Sequence, residues 1–561
     1  MKRYFLIFLV LVAAFSSCVH KQKRLSRPKL VVGIVVDQMR WDYLYRYYNR
    51  YGNDGFKRLL RGGFSCENTM INYIPSFTAP GHACIYTGSV PSINGIAGNN
   101  WIDNQTGQSS YCVDDTTVSL VGDDKKAPSM SPNNLLTTTI TDELRLATNF
   151  RSRVYGIAIK DRGAILPAGH TANAAYWYND KTGDFVTSTY YDKQFQNPAW
   201  LQAFNRRGIA DSLAKLNWQL LYDAASYTQS TKDSTGYEEA FKGEKDPVFP
   251  HKFNELTKAD RISAVKAMPA GNTLTFMMAE ACMEGAEGGK LGSGKDPDFL
   301  CVSLSSTDYV GHQFAPNSVE VEDMYLRLDN EIASFLNYLD RSVGKGKYLL
   351  FLTADHGGAH NPQFLKDKKV PAGIWFNVTA DLNMYLKEQF KKESLVNNIL
   401  NYQVFLNEPL IAGNASLNRD KIKLSIQDWL LTRMPKKYNV PVSYIIDMEN
   451  MDKTPVPEPI RTMAINGYNH LRSGSLQIIL NPGWFEADRF TGTTHGTWNP
   501  YDAHIPLLWY GWHIPKGKTN NQLNMSDISA TLAVLLYIQM PNGCVGKPID
   551  LNNTPSHSPT P

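Results

Sequence analysis

The chain has 561 residues, 43% of them hydrophobic, and a formal net charge of +4 at neutral pH. That is ample for a large core, and length alone allows several domain-sized units. The charge is small for this size and forms no long basic run, which excludes nucleic acid as a structural partner.

Lys2 and Arg3 precede an apolar run, Tyr4 to Phe15, too short for a membrane span. Ser16-Ser17-Cys18 follows at once. Residues 1–17 are therefore expected to be a signal peptide, with a lipid anchor at Cys18 and an exported protein that is periplasmic or held at the outer membrane. Phe15 stands where such lipid signals usually carry Leu, so plain cleavage remains the alternative. Beyond Cys18 the sequence has six further cysteines, an even number that permits disulfides in an exported chain and shows no C-x-x-C zinc spacing.

Lys29 to Val36 is a continuous β-branched run, as in a strand buried on both faces, and it ends in Asp37. In open α/β sheets ligands bind beyond the carboxyl ends of the strands, which places Asp37 for chemistry; the plain alternative is a helix cap. Asn72 to Tyr86 carries Thr78 just before Ala79-Pro80-Gly81, so Thr78 is expected at or near a helix N-terminus. A hydroxyl there is either a cap or a nucleophile facing free N–H groups and the positive dipole end. Gly95 to Trp101 is a turn-rich loop with Asn99. Arg153 to Ile159 is a second strand, ending in Lys160-Asp161-Arg162. That K-x-R is a solvated edge or a two-pronged oxyanion clamp.

Residues 170–296 are expected to be an irregular insertion over the sheet. Asp298 to Leu304 is a third strand, leading to Asp308 and His312, whose spacing of four puts both on one helical face. Val319 to Leu339 has helical periodicity. Tyr348 to Thr353 is a fourth strand, ending in Asp355-His356 and two glycines that permit close backbone approach. Residues 378–455 are expected to be a second, mostly helical insertion. Leu476 to Asn481 and Ile505 to Gly511 are further strands. His495 lies between them in a Gly/Thr-rich loop. A helix reaching about Leu536 is capped at Ser526, and 552–561 read as a disordered tail.

Asp37, Asp308 with His312, Asp355 with His356, and His495 all fall at strand ends or in loops. Mixed imidazole and carboxylate ligation suits Zn²⁺ better than Mg²⁺ or Ca²⁺. Six such side chains and one hydroxyl suffice for two metals.

The ordered set V-V-D-Q-M-R (35–40), P-S-F-T-A-P-G-H (75–82), G-N-N-W (98–101), K-D-R (160–162), S-S-T-D-Y-V-G-H (305–312), T-A-D-H-G-G (353–358) and T-T-H-G-T (493–497) resembles the alkaline phosphatase superfamily. Within it the likeness is to threonine-nucleophile members, the nucleotide pyrophosphatase/phosphodiesterases and, closer still, the phosphate-insensitive PafA-type exported alkaline phosphatases. The resemblance implies a single α/β catalytic domain over 28–545, a central, largely parallel sheet flanked by helices, with the two insertions capping the site. It implies two Zn²⁺ per chain, one on Asp308, His312 and His495, the other on Asp37, Asp355, His356 and Thr78. Thr78 would be the nucleophile and pass through a phosphothreonine intermediate. Asn99, Lys160 and Arg162 would bind the non-bridging oxygens.

Two cations and an amide match the charge of a phosphate monoester, and the expected substrates are small phosphate monoesters of broad range, cleaved by a monomer. A phosphodiesterase or nucleotide pyrophosphatase is the alternative. A sulfatase lacks support because no C-x-P-x-R surrounds Thr78, and a non-catalytic binding protein is disfavoured by the intact ligand set. His360 has no assigned role.

Overall fold

The computed structural model describes residues 26–552, apart from 123–127, 194–195 and 452–453. The expected signal peptide, Cys18 and the tail beyond residue 552 lie outside the described residues. Among the described residues no helix is long and apolar enough to cross a membrane.

An eleven-stranded sheet forms the centre of an α/β fold. Its middle is parallel, in the order Tyr348–Thr353, Leu30–Val36, Asp298–Leu304, Val154–Ala158, Ala174–Tyr178. The flanks turn antiparallel, Leu507–Gly511 on one side and Phe185–Ser188 on the other. The four expected strands are thus neighbours, and each is buried along its whole length. Buried on both faces, they have no polar side to alternate with, which is why they read as continuous apolar runs.

Register positions the site. Val36 pairs with Leu304, and Val35 with Thr353. Continuing both ladders past their last pairs sets Asp37 beside Ser305 on one flank and Asp355 on the other. Ala158 pairs with Ser303 on the next strand, so Lys160 emerges at the same rim. Helices cover both faces, among them Pro269–Gly285 and Val319–Leu339.

The first insertion starts later than expected. Ala174–Tyr178 and Phe185–Ser188 belong to the main sheet, so the first insertion begins after them. The second holds more helix than strand, with Thr379–Phe390, Glu408–Ala412, Arg419–Asp428 and Met434–Tyr438 set around a four-stranded antiparallel sheet of Val396–Leu400, Gln403–Leu406 and Val442–Asp447, completed by Leu476–Leu480 from beyond residue 455. Helices Thr379–Phe390 and Arg419–Asp428 pack on that sheet around a core of their own that includes Trp375, Leu382, Val404 and Leu430. The Asn401-Tyr402 turn, with both residues at positive φ, closes its first hairpin, and Asn401 Nδ2 donates to Asn100 O at 2.7 Å. The insertion is thereby fastened to the Asn99 loop. The six described cysteines are free thiols, five of them buried.

Candidate active site

Thr78 is the first residue of the helix Thr78–Thr87, and Phe77 occupies the cap position without a side-chain cap bond. The capping reading of Thr78 therefore falls. Its Oγ1 lies 3.3 Å from His356 Nε2 and 3.4 Å from Lys160 Nζ, and the residue is 1% exposed. Asn99 Oδ1 accepts from Ala79 N–H at 2.9 Å, which leaves the donor end of the Asn99 amide turned away from that N–H.

Asp37 is not a helix cap either. Its Oδ2 accepts from Lys160 Nζ at 2.7 Å, and Asp308 Oδ2 accepts from the same ammonium at 2.5 Å. Burial opposes the Lys160 charge, but Asp308 and Asp37 outweigh it and hold the ammonium protonated. Burial and the facing Asp355 push Asp37 well up from the usual carboxylate range. Burial would raise Asp308 too, yet His312 and Lys160 keep it well below. Arg162 reaches the other way. Its Nη1 donates to Tyr111 Oη at 3.0 Å, and its buried Nε has no hydrogen-bond partner among the described residues.

The three histidines share one arrangement. His312 Nδ1 faces Thr493 O at 2.8 Å, His356 Nδ1 faces Gly357 O at 2.9 Å, and His495 Nδ1 faces Ser76 O at 2.9 Å. A carbonyl only accepts, so each Nδ1 carries the hydrogen and each Nε2 presents a lone pair inward. Burial also lowers the pKa of His356 and His495, which favours the neutral, ligating form. Those lone pairs face carboxylate oxygens. His312 Nε2 is 3.2 Å from Asp308 Oδ1, and His495 Nε2 is 3.7 Å from the same atom. His356 Nε2 is 3.4 Å from Asp37 Oδ1 and 3.5 Å from Asp355 Oδ2, and both of these oxygens are buried without a hydrogen-bond partner. Acceptors converging on acceptors in a dry site call for a cation between them.

Asp308, His312 and His495 form one converging group. The second comprises Asp37, His356 and Asp308, with Asp355 approaching the same His356 nitrogen. Asp308 is thus common to both groups. The donor set of imidazole and carboxylate fits a transition metal such as zinc.

Supporting residues escaped the sequence reading. Gln38, at φ +64°, donates from its backbone N to Asp355 Oδ1 at 3.2 Å. His82 is fully buried behind Asp355, with Nδ1 on Thr78 O at 2.9 Å. His360 now has a structural role. Its Nδ1 donates to Asn317 Oδ1 at 2.6 Å and its Nε2 accepts from Arg40 at 3.1 Å, while burial and Arg40 push its pKa down to about 3. It is a neutral strut between the loops carrying Asp37 and His356.

Fold and cluster together define an α/β enzyme with candidate metal-binding residues gathered at the strand ends. Residues 31–502 match the family model described as Type I phosphodiesterase / nucleotide pyrophosphatase, and the chain belongs to that family, within the alkaline phosphatase superfamily. A Myroides odoratus protein named as a calcium-transporting ATPase is 51% identical, over 95% of this chain and 96% of that one. Alkaline phosphatase PhoV of Synechococcus elongatus is 49% identical, over 97% and 98%. The crystal structure of alkaline phosphatase PafA superposes with a TM-score of 0.88 at 46% identity, covering 94% of this chain and 99% of that one.

Proposed function

We propose that this chain is a zinc-dependent alkaline phosphatase that hydrolyses phosphate monoesters through a phosphothreonine at Thr78. The observation that carries the reading is the placement of the uncapped Thr78 hydroxyl at a helix N-terminus, 3.4 Å from the Lys160 ammonium.

Asp308, His312 and His495 would hold one zinc, and Asp37, Asp355 and His356 the other. Bound there, zinc would supply positive charge that favours an ionised Thr78 hydroxyl and an ionised leaving oxygen. Thr78 Oγ1 attacks phosphorus in line, its O–P bond forming as the ester O–P bond breaks and the alcohol departs. Water then cleaves the phosphothreonine and inorganic phosphate leaves. The N–H groups of the Thr78–Thr87 helix, the Asn99 amide, the Lys160 ammonium and the Arg162 Nε–H are the donors for the non-bridging oxygens. Such donors, fixed before the reaction, do most of the work in phosphoryl transfer.

The family includes phosphodiesterases, whose substrates carry one negative charge and a second organic group. Lys160 beside Thr78, with Arg162 two residues further along the same segment, favours the doubly charged monoester. The name of the Myroides odoratus relative joins ATP cleavage to calcium movement, and the cluster accounts for phosphoryl cleavage alone. Lys2, Arg3 and the run Tyr4 to Phe15 support export to the periplasm or outer membrane, with Cys18 as the lipid site, and we take the working form as a monomer.

The test compares a nitrophenyl phosphate monoester with the matching bis-ester before chelation, after it and after zinc is restored. Zinc-restored monoesterase activity well above diesterase activity supports the reading. A preference for the diester sinks the monoesterase assignment and leaves the metal site standing.

A further inference from the structure

The candidate ligands differ sharply in exposure. The side chains of Asp37, Asp355 and His356 are 0% exposed, Asp308 3% and His495 4%, whereas His312 is 30% exposed. The imidazoles form a row leading outward from Thr78. His356 stacks on His495 with ring centroids 3.5 Å apart, and His495 lies 5.1 Å from His312. Beyond His312 the row opens into a cleft of about 430 Å³ floored by Thr493 and Thr494. A phosphoryl group held at Thr78 would have its departing oxygen directed along this row.

One wall of the cleft is Phe376, 44% exposed, with Phe490, 66% exposed, set edge-on to it at 5.6 Å and 75°. Phe376 owes its exposure to strand alternation. Trp375, the last residue of the strand Gly373–Trp375, is fully buried, and the next side chain points out. The backbone there is fixed, because Asn377 Nδ2 donates to Ile399 O at 2.8 Å and its Oδ1 accepts from Thr379 N at 2.9 Å. Phe376 is thus an aromatic face on a rigid support, with no ring of the protein stacked flat upon it among the described residues.

The cleft has one cationic lining residue, Arg489, and its Nη1 is already paired with Glu239 at 2.7 Å. Glu486 and Asp488 add acidic character. Among the described residues lining it, a leaving group bearing a further phosphate meets no cation that lacks an acidic partner.

We infer that the cleft beside His312 is the leaving-group subsite, and that it selects neutral alcohols carrying a planar ring, which stacks on Phe376. This rests on the phosphatase reading above and adds a specificity to it. An offset or edge-on aromatic contact of this kind is worth about three- to tenfold in a rate ratio.

The test uses benzyl phosphate and methyl phosphate, whose leaving alcohols have comparable acidity, so their kcat/KM ratio reports binding of the ring. In Phe376→Ala the benzyl-to-methyl ratio should fall by about three- to tenfold, mostly through KM, and Phe376→Tyr should restore it. Phe376→Leu keeps apolar bulk without a ring face and should behave like Phe376→Ala. Competitive inhibition by benzylphosphonate should weaken in parallel relative to methylphosphonate, and AMP should be preferred to ADP. A ratio that does not change in Phe376→Ala, including an equal fall on both esters, overturns the subsite, as does a preference for ADP. Wild-type protein that cleaves neither ester with zinc restored overturns the phosphatase reading instead.

Discussion

Gln38 Nε2 donates to Asp308 Oδ1 across 2.7 Å, so the residue after Asp37 orients the carboxylate that belongs to both metal groups. The left-handed backbone at Gln38 swings its side chain toward the helix Ser306–Phe314, where Gly311 leaves room; a Cβ there would meet Gln38 Oε1 at 1.9 Å. Outer partners that orient ligands typically matter by ~10- to 100-fold in metal affinity. Gln38→Ala should weaken zinc binding by about that factor, read by competition with a chelating dye. Unchanged affinity would remove Gln38 from the metal site's support.

Gly81 faces a comparable restriction from backbone. A Cβ at that position would lie 2.5 Å from Asp355 O and 2.6 Å from Asp355 Cβ. The helix bearing Thr78 packs this closely on the Asp355-His356 loop only because residue 81 has no side chain. Gly81→Ala should push the two apart, and a displacement of order an ångström at a reacting centre costs on the order of a hundredfold. The expected result is a fall of about that size in kcat/KM for a phosphate monoester with the fold retained by circular dichroism. Wild-type kinetics would show that the contact relaxes without moving Thr78.

Tyr111 acts through Arg162. Its hydroxyl accepts from Arg162 Nη1 at 3.0 Å and donates to Asp161 Oδ1 at 2.5 Å, while Arg162 N also donates to Asp161 Oδ1 at 2.6 Å. The phenol is held neutral mainly by burial, against the pull of Arg162. Tyr111→Phe removes two charge-assisted bonds, one from Arg162 and one to Asp161, and should lower monoester kcat/KM by roughly tenfold. As a positioning effect, it should touch the diester rate much less and zinc affinity not at all. Equal losses on both esters would assign Tyr111 to packing.

What the sequence revealed follows from what packing writes into sequence. Asp37, Lys160, Asp308 and Asp355 were legible because they end or follow strands buried on both faces, and such strands stand out as apolar runs. The hairpin through Asn401-Tyr402 was hidden because both residues take positive φ without a glycine to announce it. Ala174–Tyr178 passed for part of an insertion because aromatic residues in a Gly/Asn/Asp-rich setting look like wall rather than sheet. The sharing of Asp308 between two metal groups depends on distances of a few ångströms between chain segments, which spacing does not encode. Gln38 and Tyr111 have no motif of their own, since orienting another residue needs only a donor or acceptor in the right place.

A last expectation concerns alkaline pH, where the first insertion meets the helix Val319–Leu339. His251 is fully buried, with Nδ1 3.1 Å from Glu244 Oε2 and Nε2 3.4 Å from Glu320 Oε1. Burial opposes its charge, but Glu244 and Glu320 prevail and raise its pKa from 6.5 to about 9. Burial and the facing Glu320 raise Glu238 from 4.5 to about 9. Asp233 adds to the negative charge felt by both glutamates. Each folded-state pKa lies above its unfolded value, so the folded protein keeps protons that the unfolded chain has released. His251 therefore contributes stability that is complete below about pH 6.5 and lost as pH rises through about 9. Glu238 works in the same direction, its cost growing from about pH 4.5 until the folded group ionises near 9. The melting temperature should fall across the window from about pH 6.5 to about 9, and Glu238→Gln, which cannot ionise, should fall less steeply. Calorimetry of both proteins across that range decides it: parallel curves would mean that the Glu238 proton is not held on folding.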